Sequence, residues 1–329
     1  MRIAVEAWSP EYSAGVDLGE PEDVSVEAVG TTHEVQGAWR PVPRCGSVPG
    51  IDTVAFVDGT RRIEARVFVV DAGAAPRAGV AGSVGVGAVV CSAAGGDAVD
   101  GGACARVSHA SVSRHLAVGG GRAPGLSAGA GLDYAPMPVP DEALELLVDA
   151  VHNQMRRAEA DLAIAHAEEG HLVFADGPLA VMDPGKRRVI GYIKSHAKRY
   201  LPPAEEAVLE MLGCGERTPV FSFGDRRPRY SWYVRLCERD RHGHGWQGLV
   251  RCEVPAALSV DEAVALADAS TALLPRFASK PHWDPRAPQN LVPIAGLEKK
   301  LRHLLGEREL VYRMIRSAAG RFSREDAVA

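Results

Sequence analysis

Val54-Ala-Phe-Val-Asp58-Gly-Thr60 runs an apolar, largely β-branched segment into one carboxylate and then into turn-forming residues. It reads as a short buried strand with Asp58 at its tip, a turn at Gly59-Thr60, and a return along 63–70 as the second strand of a hairpin. Leu172-Val-Phe-Ala-Asp176-Gly-Pro178 repeats the pattern, delivering a second aspartate at the end of a second strand. If the two strands lie side by side, their tips bring the carboxylates together. Like charges at short range are tolerated mainly when a cation or a shared proton compensates them.

A chain of 329 residues can bury a substantial core, and one large α/β domain with insertions is expected. No run approaches the roughly 18 uninterrupted apolar residues of a membrane helix. The opening Met1-Arg-Ile-Ala-Val-Glu6 lacks the apolar core of a signal peptide, so a cytoplasmic protein without membrane association is expected. The six cysteines form no Cys-x-x-Cys pair and read as reduced, mostly buried thiols. A net charge of -5 argues against a generally basic nucleic-acid binder, yet the charge is uneven. Residues 1–60 carry ten Asp/Glu against three Lys/Arg, whereas 186–251 carry fourteen Lys/Arg against seven Asp/Glu. One basic face would suffice to hold a phosphate backbone.

Residues 1–50, rich in Pro, Gly, Ser and acid, read as a loosely packed N-terminal arm with one or two short strands. A third strand is expected over 79–91, although its glycines weaken the pattern. Residues 92–135 are dominated by Ala, Gly, Ser and Val and read as a surface insertion or a partly disordered segment. Gly125-Leu-Ser127-Ala-Gly129 has the form of a hydrolase nucleophile elbow but lies among glycines, without the strand before and helix after that the elbow needs. From Pro140 the spacing of Leu144, Leu147, Val148, Val151 and Met155 predicts a long helix capped by Asp141 and ending at Gly170. Glu159 falls on the side of that helix that carries its apolar residues; it either points inward or pairs with Arg156 in solvent.

Arg188-Val-Ile-Gly-Tyr-Ile-Lys194 reads as a strand ending in a cation, followed by a helix near 203–212 and strand-like runs at 218–223, 229–237 and 245–254. Among these runs, Arg226, Arg227, Arg229, Tyr230, Trp232, Arg241 and Trp246 mix cations with aromatic rings. A single-strand groove uses that mixture, with charge on the phosphates and rings on the bases; an edge strand with solvated arginines and buried rings has the same composition. Ser259 caps a helix over 260–274. The loop Pro281-His-Trp-Asp-Pro-Arg-Ala-Pro288 carries His282, Asp284 and Arg286, with Asp284 either a loop cap or a ligand, and a final amphipathic segment spans 290–305.

The order of these pieces resembles a ribonuclease H-like fold: a mixed sheet flanked by helices, with an N-terminal arm and a Gly/Ala-rich insertion. More narrowly, Phe56-Val-Asp58-Gly-Thr60, Glu159, Phe174-Ala-Asp176-Gly-Pro-Leu179 and Ile190-Gly-Tyr-Ile-Lys194 resemble motifs of the NurA nuclease family. The resemblance implies an arm over 1–50, a nuclease domain over 51–306 interrupted at 92–135, and a C-terminal tail over 307–329. It further implies Asp58, Glu159 and Asp176 as ligands of Mn²⁺ or Mg²⁺, cleavage of DNA, a HerA-type hexameric ATPase as partner, and a homodimer. Family members tend to carry a tyrosine and a histidine around the last helix, where this chain has alanines, leaving His282, Asp284 and Asn290 as candidates for the last ligand. Hard carboxylate oxygens suit such ions, and Lys194 could add positive charge to the transition state, hold the backbone, or simply end its strand facing solvent. Two other functions fit parts of the pattern. Val57-Asp-Gly-Thr60 approaches the Asp-x-Gly-Thr phosphate loop of actin-like and sugar-kinase phosphotransferases, lacking the intervening residue. A non-catalytic DNA-binding or scaffold subunit would keep the fold and lack one ligand.

Overall fold

The computed structural model describes residues 2–5, 29–46, 48, 50–94, 105–179, 185, 188–194, 199–224, 227–238 and 246–325. Its axis is β2 (Thr53–Val70), eighteen residues long. The expected turn at Gly59-Thr60 is absent: the strand continues through both residues and shifts register only at a bulge between Ile63 and Ala65. Val54 and Phe56 belong to the core on one face, and Ala55 and Val57 to the core on the other. Burial on both faces is why the segment reads as an unbroken apolar run.

Along one edge, β2 pairs antiparallel with β3 (Arg77–Ser92) over nearly its whole length. Along the other edge, Val54–Val57 pair in parallel with β7 (Leu172–Asp176), and residues 67–70 pair with β1 (Arg2–Val5). Between those two neighbours, residues 58–66 have no strand partner on that edge among the described residues. The site forms at this opening.

The remaining strands are β4 (Ala105–Gly119), β5 (Leu126–Ser127), β6 (Asp133–Val139), β8 (Val189–Ile193), β9 (Phe221–Phe223), β10 (Arg229–Arg235) and β11 (Leu249–Pro255). The sheet is mixed, with the order β5-β6-β4-β3-β2-β7-β8-β11-β10-β9 and β1 added to β2. The expected insertion over 92–135 is therefore largely sheet, with residues 95–104 outside the described set. Small residues suffice in β4 because only its last four positions are fully buried. Ser127 sits in a two-residue strand paired with β6 and donates to Asp133 Oδ1 at 2.6 Å, so no nucleophile elbow exists there. The glycines of β3 are positions of close approach: a Cβ at Gly82 would lie 2.7 Å from Val151, and one at Gly87 2.8 Å from Leu297.

Helix α1 (Leu144–Glu168) packs Ala160 and Ala163 onto the face that carries Ala55, Val57 and Val173. After α2 (Pro203–Glu206), the helices α3 (Val260–Phe277) and α4 (Val292–Leu304) cover the face of Phe56, Phe174 and Tyr192. Ser259 and Glu262 cap α3 reciprocally, as the sequence predicts. Within the C-terminal tail over 307–329, residues 308–325 form α5 (Arg308–Glu325), which packs Val311 and Ile315 against Ile3, Val67 and Val69. The arm contributes β1 and Glu34, which holds the buried Arg217 through two bonds of 2.8 Å. None of the helices is long and apolar enough to cross a membrane, among the described residues.

The bulge of β2 has a second consequence, because it places the Glu64 carboxylate inside the protein. Glu64 accepts from Arg62 Nε at 2.7 Å and from Ser83 Oγ at 2.7 Å, with Arg114 Nη1 3.7 Å away. Arg62 and Arg114 in turn donate to the carbonyls of Leu305 and Gly306, closing the C-terminal end of α4. Glu64→Ala leaves the half-buried Arg62 and Arg114 without the buried counter-charge between them and is expected to cost about 3 kcal/mol of stability in urea unfolding. A loss below about 1 kcal/mol would mean that the cluster does not hold α4.

Candidate metal centre

Asp58 and Asp176 come together because β7 ends where β2 continues. Phe56 and Phe174 stack across the parallel pair at 5.7 Å, and two residues later on each strand stand the aspartates, on the same face. Gly177, at φ +93°, turns the chain away immediately after Asp176. The helix opposite that face supplies a third acid, Glu298 of α4. Oxygens of Asp58, Asp176 and Glu298 lie within 4.8 Å of one another, and Asp58 and Glu298 are buried.

Behind these acids a continuous chain of bonds fixes their geometry. Lys194, just past the end of β8, donates to Asp176 Oδ2 at 2.6 Å and to Asn290 Oδ1 at 3.2 Å. Asn290 Nδ2 donates to Asp284 Oδ2 at 2.6 Å. Arg286 donates its backbone N–H to Asp284 Oδ1 at 2.8 Å and clamps Glu298 with bonds of 3.0 and 2.7 Å. Asp58 Oδ1 accepts the N–H of Gly59, at 2.8 Å. Asp58 Oδ2 and Asp176 Oδ1 are buried with no hydrogen-bond partner among the described residues. Two hard carboxyl oxygens without partners among the described residues, backed by oriented cations, are a donor set that suits a divalent ion.

Glu159 reaches the same place from the other side of the sheet. It stands on α1 above Gly59, where an added Cβ would overlap Glu159 Oε1 and lie 2.9 Å from Met155 Cγ. Gly59 is thus a window in the sheet through which the helix carboxylate approaches the aspartates. With Asp58, Asp176, Lys194, His152 and Arg156, Glu159 lines a cavity of about 380 Å³. Burial, then the charges of Asp176 and Glu159, push the Asp58 carboxyl well above the usual range. Burial also raises Asp176, against the pull of Lys194. Burial and Asp176 push Glu159 up to about 8, and burial with the neighbouring Arg156 and Arg61 pushes His152 down to about 4.

The residues predicted from the sequence divide clearly. Asp58, Asp176, Glu159 and Lys194 converge. Asp284 and Asn290 stand one layer behind, committed to each other and to their cationic neighbours, while His282 is exposed and packs edge-on against Trp283 at 5.6 Å. Glu298 was not among the expected ligands. Its signal lay in the spacing of Ile294, Leu297, Leu301 and Leu305, which places position 298 inside the apolar stripe of α4. The cation and aromatic set is dispersed. Trp232 is wholly buried and donates Nε1 to Ser270 Oγ at 2.9 Å; Arg229 is buried, donating to the Leu179 carbonyl and facing Glu253. Neither is available as a stacking or phosphate group. Tyr230 and Trp246 are half-buried against His33 and Tyr233, Arg227 is exposed, and Arg226 and Arg241 lie outside the described residues.

No protein-family model and no curated protein matches the chain.

The raised Glu159 carboxyl makes stability depend on pH. Between its ordinary value of 4.5 and about 8, the folded protein holds a proton that the unfolded chain has released, so each step up in pH favours unfolding. In chelator-treated protein, Tm is expected to fall as pH rises from about 5 to about 8, and Glu159→Gln is expected to flatten that slope. A wild-type Tm independent of pH over that interval, or a slope unchanged in the variant, would contradict the placement of Glu159.

Proposed function

We propose that this chain is a divalent-metal-dependent nuclease that hydrolyses DNA phosphodiester bonds. The observation that carries the reading is the pair of buried oxygens on Asp58 and Asp176 that have no hydrogen-bond partner among the described residues, beside Glu298, with both aspartates lining a cavity. A supporting observation is the strand order β4-β3-β2-β7-β8, in which two antiparallel steps are followed by α1 and two parallel steps, as a ribonuclease H-like reading expects. The NurA-like motifs named above supply DNA as substrate, Mn²⁺ or Mg²⁺ as the ion, and a HerA-type ATPase and a second copy of the chain as partners.

Asp58, Asp176 and Glu298 would hold the ion, which when bound polarises a phosphoryl oxygen and lowers the pKa of coordinated water. Lys194 and Arg286 fix the orientation of Asp176 and Glu298. Arg156, on the cavity wall, supplies positive charge toward a phosphate, while His152 stays neutral. Glu159 holds its proton near neutral pH and can pass it to a departing oxygen. The phosphotransferase reading has less support: residues 57–60 are extended strand in β2, not a loop able to cradle phosphates.

With Mn²⁺ and linear DNA, Asp58→Asn and Glu298→Gln are each expected to lose cleavage by about a hundredfold or more. Far-UV circular dichroism should be unchanged, and metal-free Asp58→Asn should melt higher than wild type because the cost of burying an ionisable carboxyl beside Asp176 and Glu159 is gone. Full cleavage in both variants would reject the assignment. Absence of cleavage in the wild type, with DNA still bound, would favour a non-catalytic DNA-binding subunit.

A further inference from the structure

We propose a second cation site, built from His166, Glu169 and His171 at the far end of β7, for a borderline transition-metal ion such as Zn²⁺. Donor atoms of the three residues lie within 4.8 Å of one another. His166 Nδ1 is 3.1 Å and His171 Nε2 3.5 Å from Glu169 Oε2. The backbone fixes this spacing. Gly170, at φ +94°, ends α1, and the N–H of His171 returns to the carbonyl of His166 at 3.2 Å. His166 and Glu169 thus stand on the last turn, with His171 folded back beside them.

Hydrogen bonding decides which nitrogen of His166 can act as a ligand. The Ser108 hydroxyl has one hydrogen, and it goes to the Ala88 carbonyl at 3.2 Å. Ser108 Oγ also lies 3.2 Å from His166 Nε2; in the tautomer in which it accepts the ring proton there, Nδ1 presents a lone pair toward Glu169. His166 is 5 % exposed, and its Nδ1 has no hydrogen-bond partner among the described residues. A cation between that lone pair and the Glu169 carboxylate, 3.1 Å from Nδ1, would satisfy both. His171 repeats the arrangement: its Nδ1 is held by Thr53 Oγ1 at 2.5 Å, leaving Nε2 toward Glu169. Hydroxyl groups behind both imidazoles are the outer-shell support that metal-ligating histidines generally have.

The surroundings favour a cation as well. The site lies at the C-terminal end of a 25-residue helix, where the carbonyls carry negative partial charge. The Glu169 side chain is 62 % exposed, which gives the ion a path in and leaves a coordination position for water. Imidazole donors select Zn²⁺, Ni²⁺ or Co²⁺, whereas the carboxylates at the other end of β7 select Mg²⁺ or Mn²⁺. His171 and Asp176 are five strand residues apart, roughly 16 Å. The two sites are therefore independent, and this inference does not rest on the nuclease reading. Bound there, an ion would tie the end of α1 to the start of β7 against β2 and β4.

The test is Co²⁺ and Zn²⁺ binding to the full chain, followed by the visible d–d absorption of Co²⁺ and by calorimetry. Asp58→Asn removes a ligand of the carboxylate centre and serves as the background. One equivalent of Zn²⁺ and the Co²⁺ band are expected to persist in Asp58→Asn. In that background, His171→Gln and the surface change Glu169→Gln should each weaken Zn²⁺ binding by about tenfold or more. Glu169→Gln keeps the test valid if His171→Gln fails to fold. No Co²⁺ band and no Zn²⁺ uptake in Asp58→Asn, or affinity unchanged by Glu169→Gln, would overturn the site and leave an imidazolium–carboxylate pair.

Discussion

Two carboxylates held within 4.8 Å of each other inside a protein repel by an amount on the order of 3 to 4 kcal/mol at an effective dielectric near 20. Asp58 and Asp176 are in that position by construction, since the parallel pairing of Val54–Val57 with β7 leaves them no other place to point. Such repulsion persists in a stable fold only when something offsets it. Lys194 offsets part, on one oxygen of one aspartate. The oxygens that remain bare define where a further positive charge belongs.

The rest of the centre follows from that constraint. Arg286, Asn290 and Lys194 do not neutralise the acids facing the cavity so much as hold them still, linking Asp284, Glu298 and Asp176 into one bonded chain. Two arginines anchored by Glu64 fix the end of α4, and with it the height of Glu298 above the sheet. From the opposite face, Glu159 enters through the gap at Gly59. The centre is thus assembled from both faces of one sheet at a stretch where β2 lacks a strand neighbour on that edge among the described residues, and its supporting contacts come from α4, the short loop before it and the residue that follows β8.

Much of this was readable in the sequence, for a physical reason. Apolar runs ending in Asp-Gly at 58 and 176 gave the two aspartates, because strand burial leaves a strong period and composition signal. Gly59 was misread as a turn: glycine in a strand marks close approach as readily as reversal, and what approaches is a helix carboxylate far away in the chain. The same ambiguity hid the glycine contacts of β3, where Gly82 and Gly87 receive side chains from α1 and α4, while β4 looks like an insertion because most of its small residues are not fully buried. Arg229 and Trp232 looked like a nucleic-acid surface but are core groups with internal partners, a distinction that composition cannot carry. Glu298 went unseen although its place in the apolar stripe was the same kind of signal that had singled out Glu159.

Anomalous diffraction from crystals soaked in Mn²⁺ tests the central claim most directly. The account predicts a manganese peak bonded to Asp58 Oδ2 and Asp176 Oδ1, with Glu298 in or next to its coordination shell. A saturating soak that leaves this position without a peak, while the two carboxylates keep their places, would contradict it.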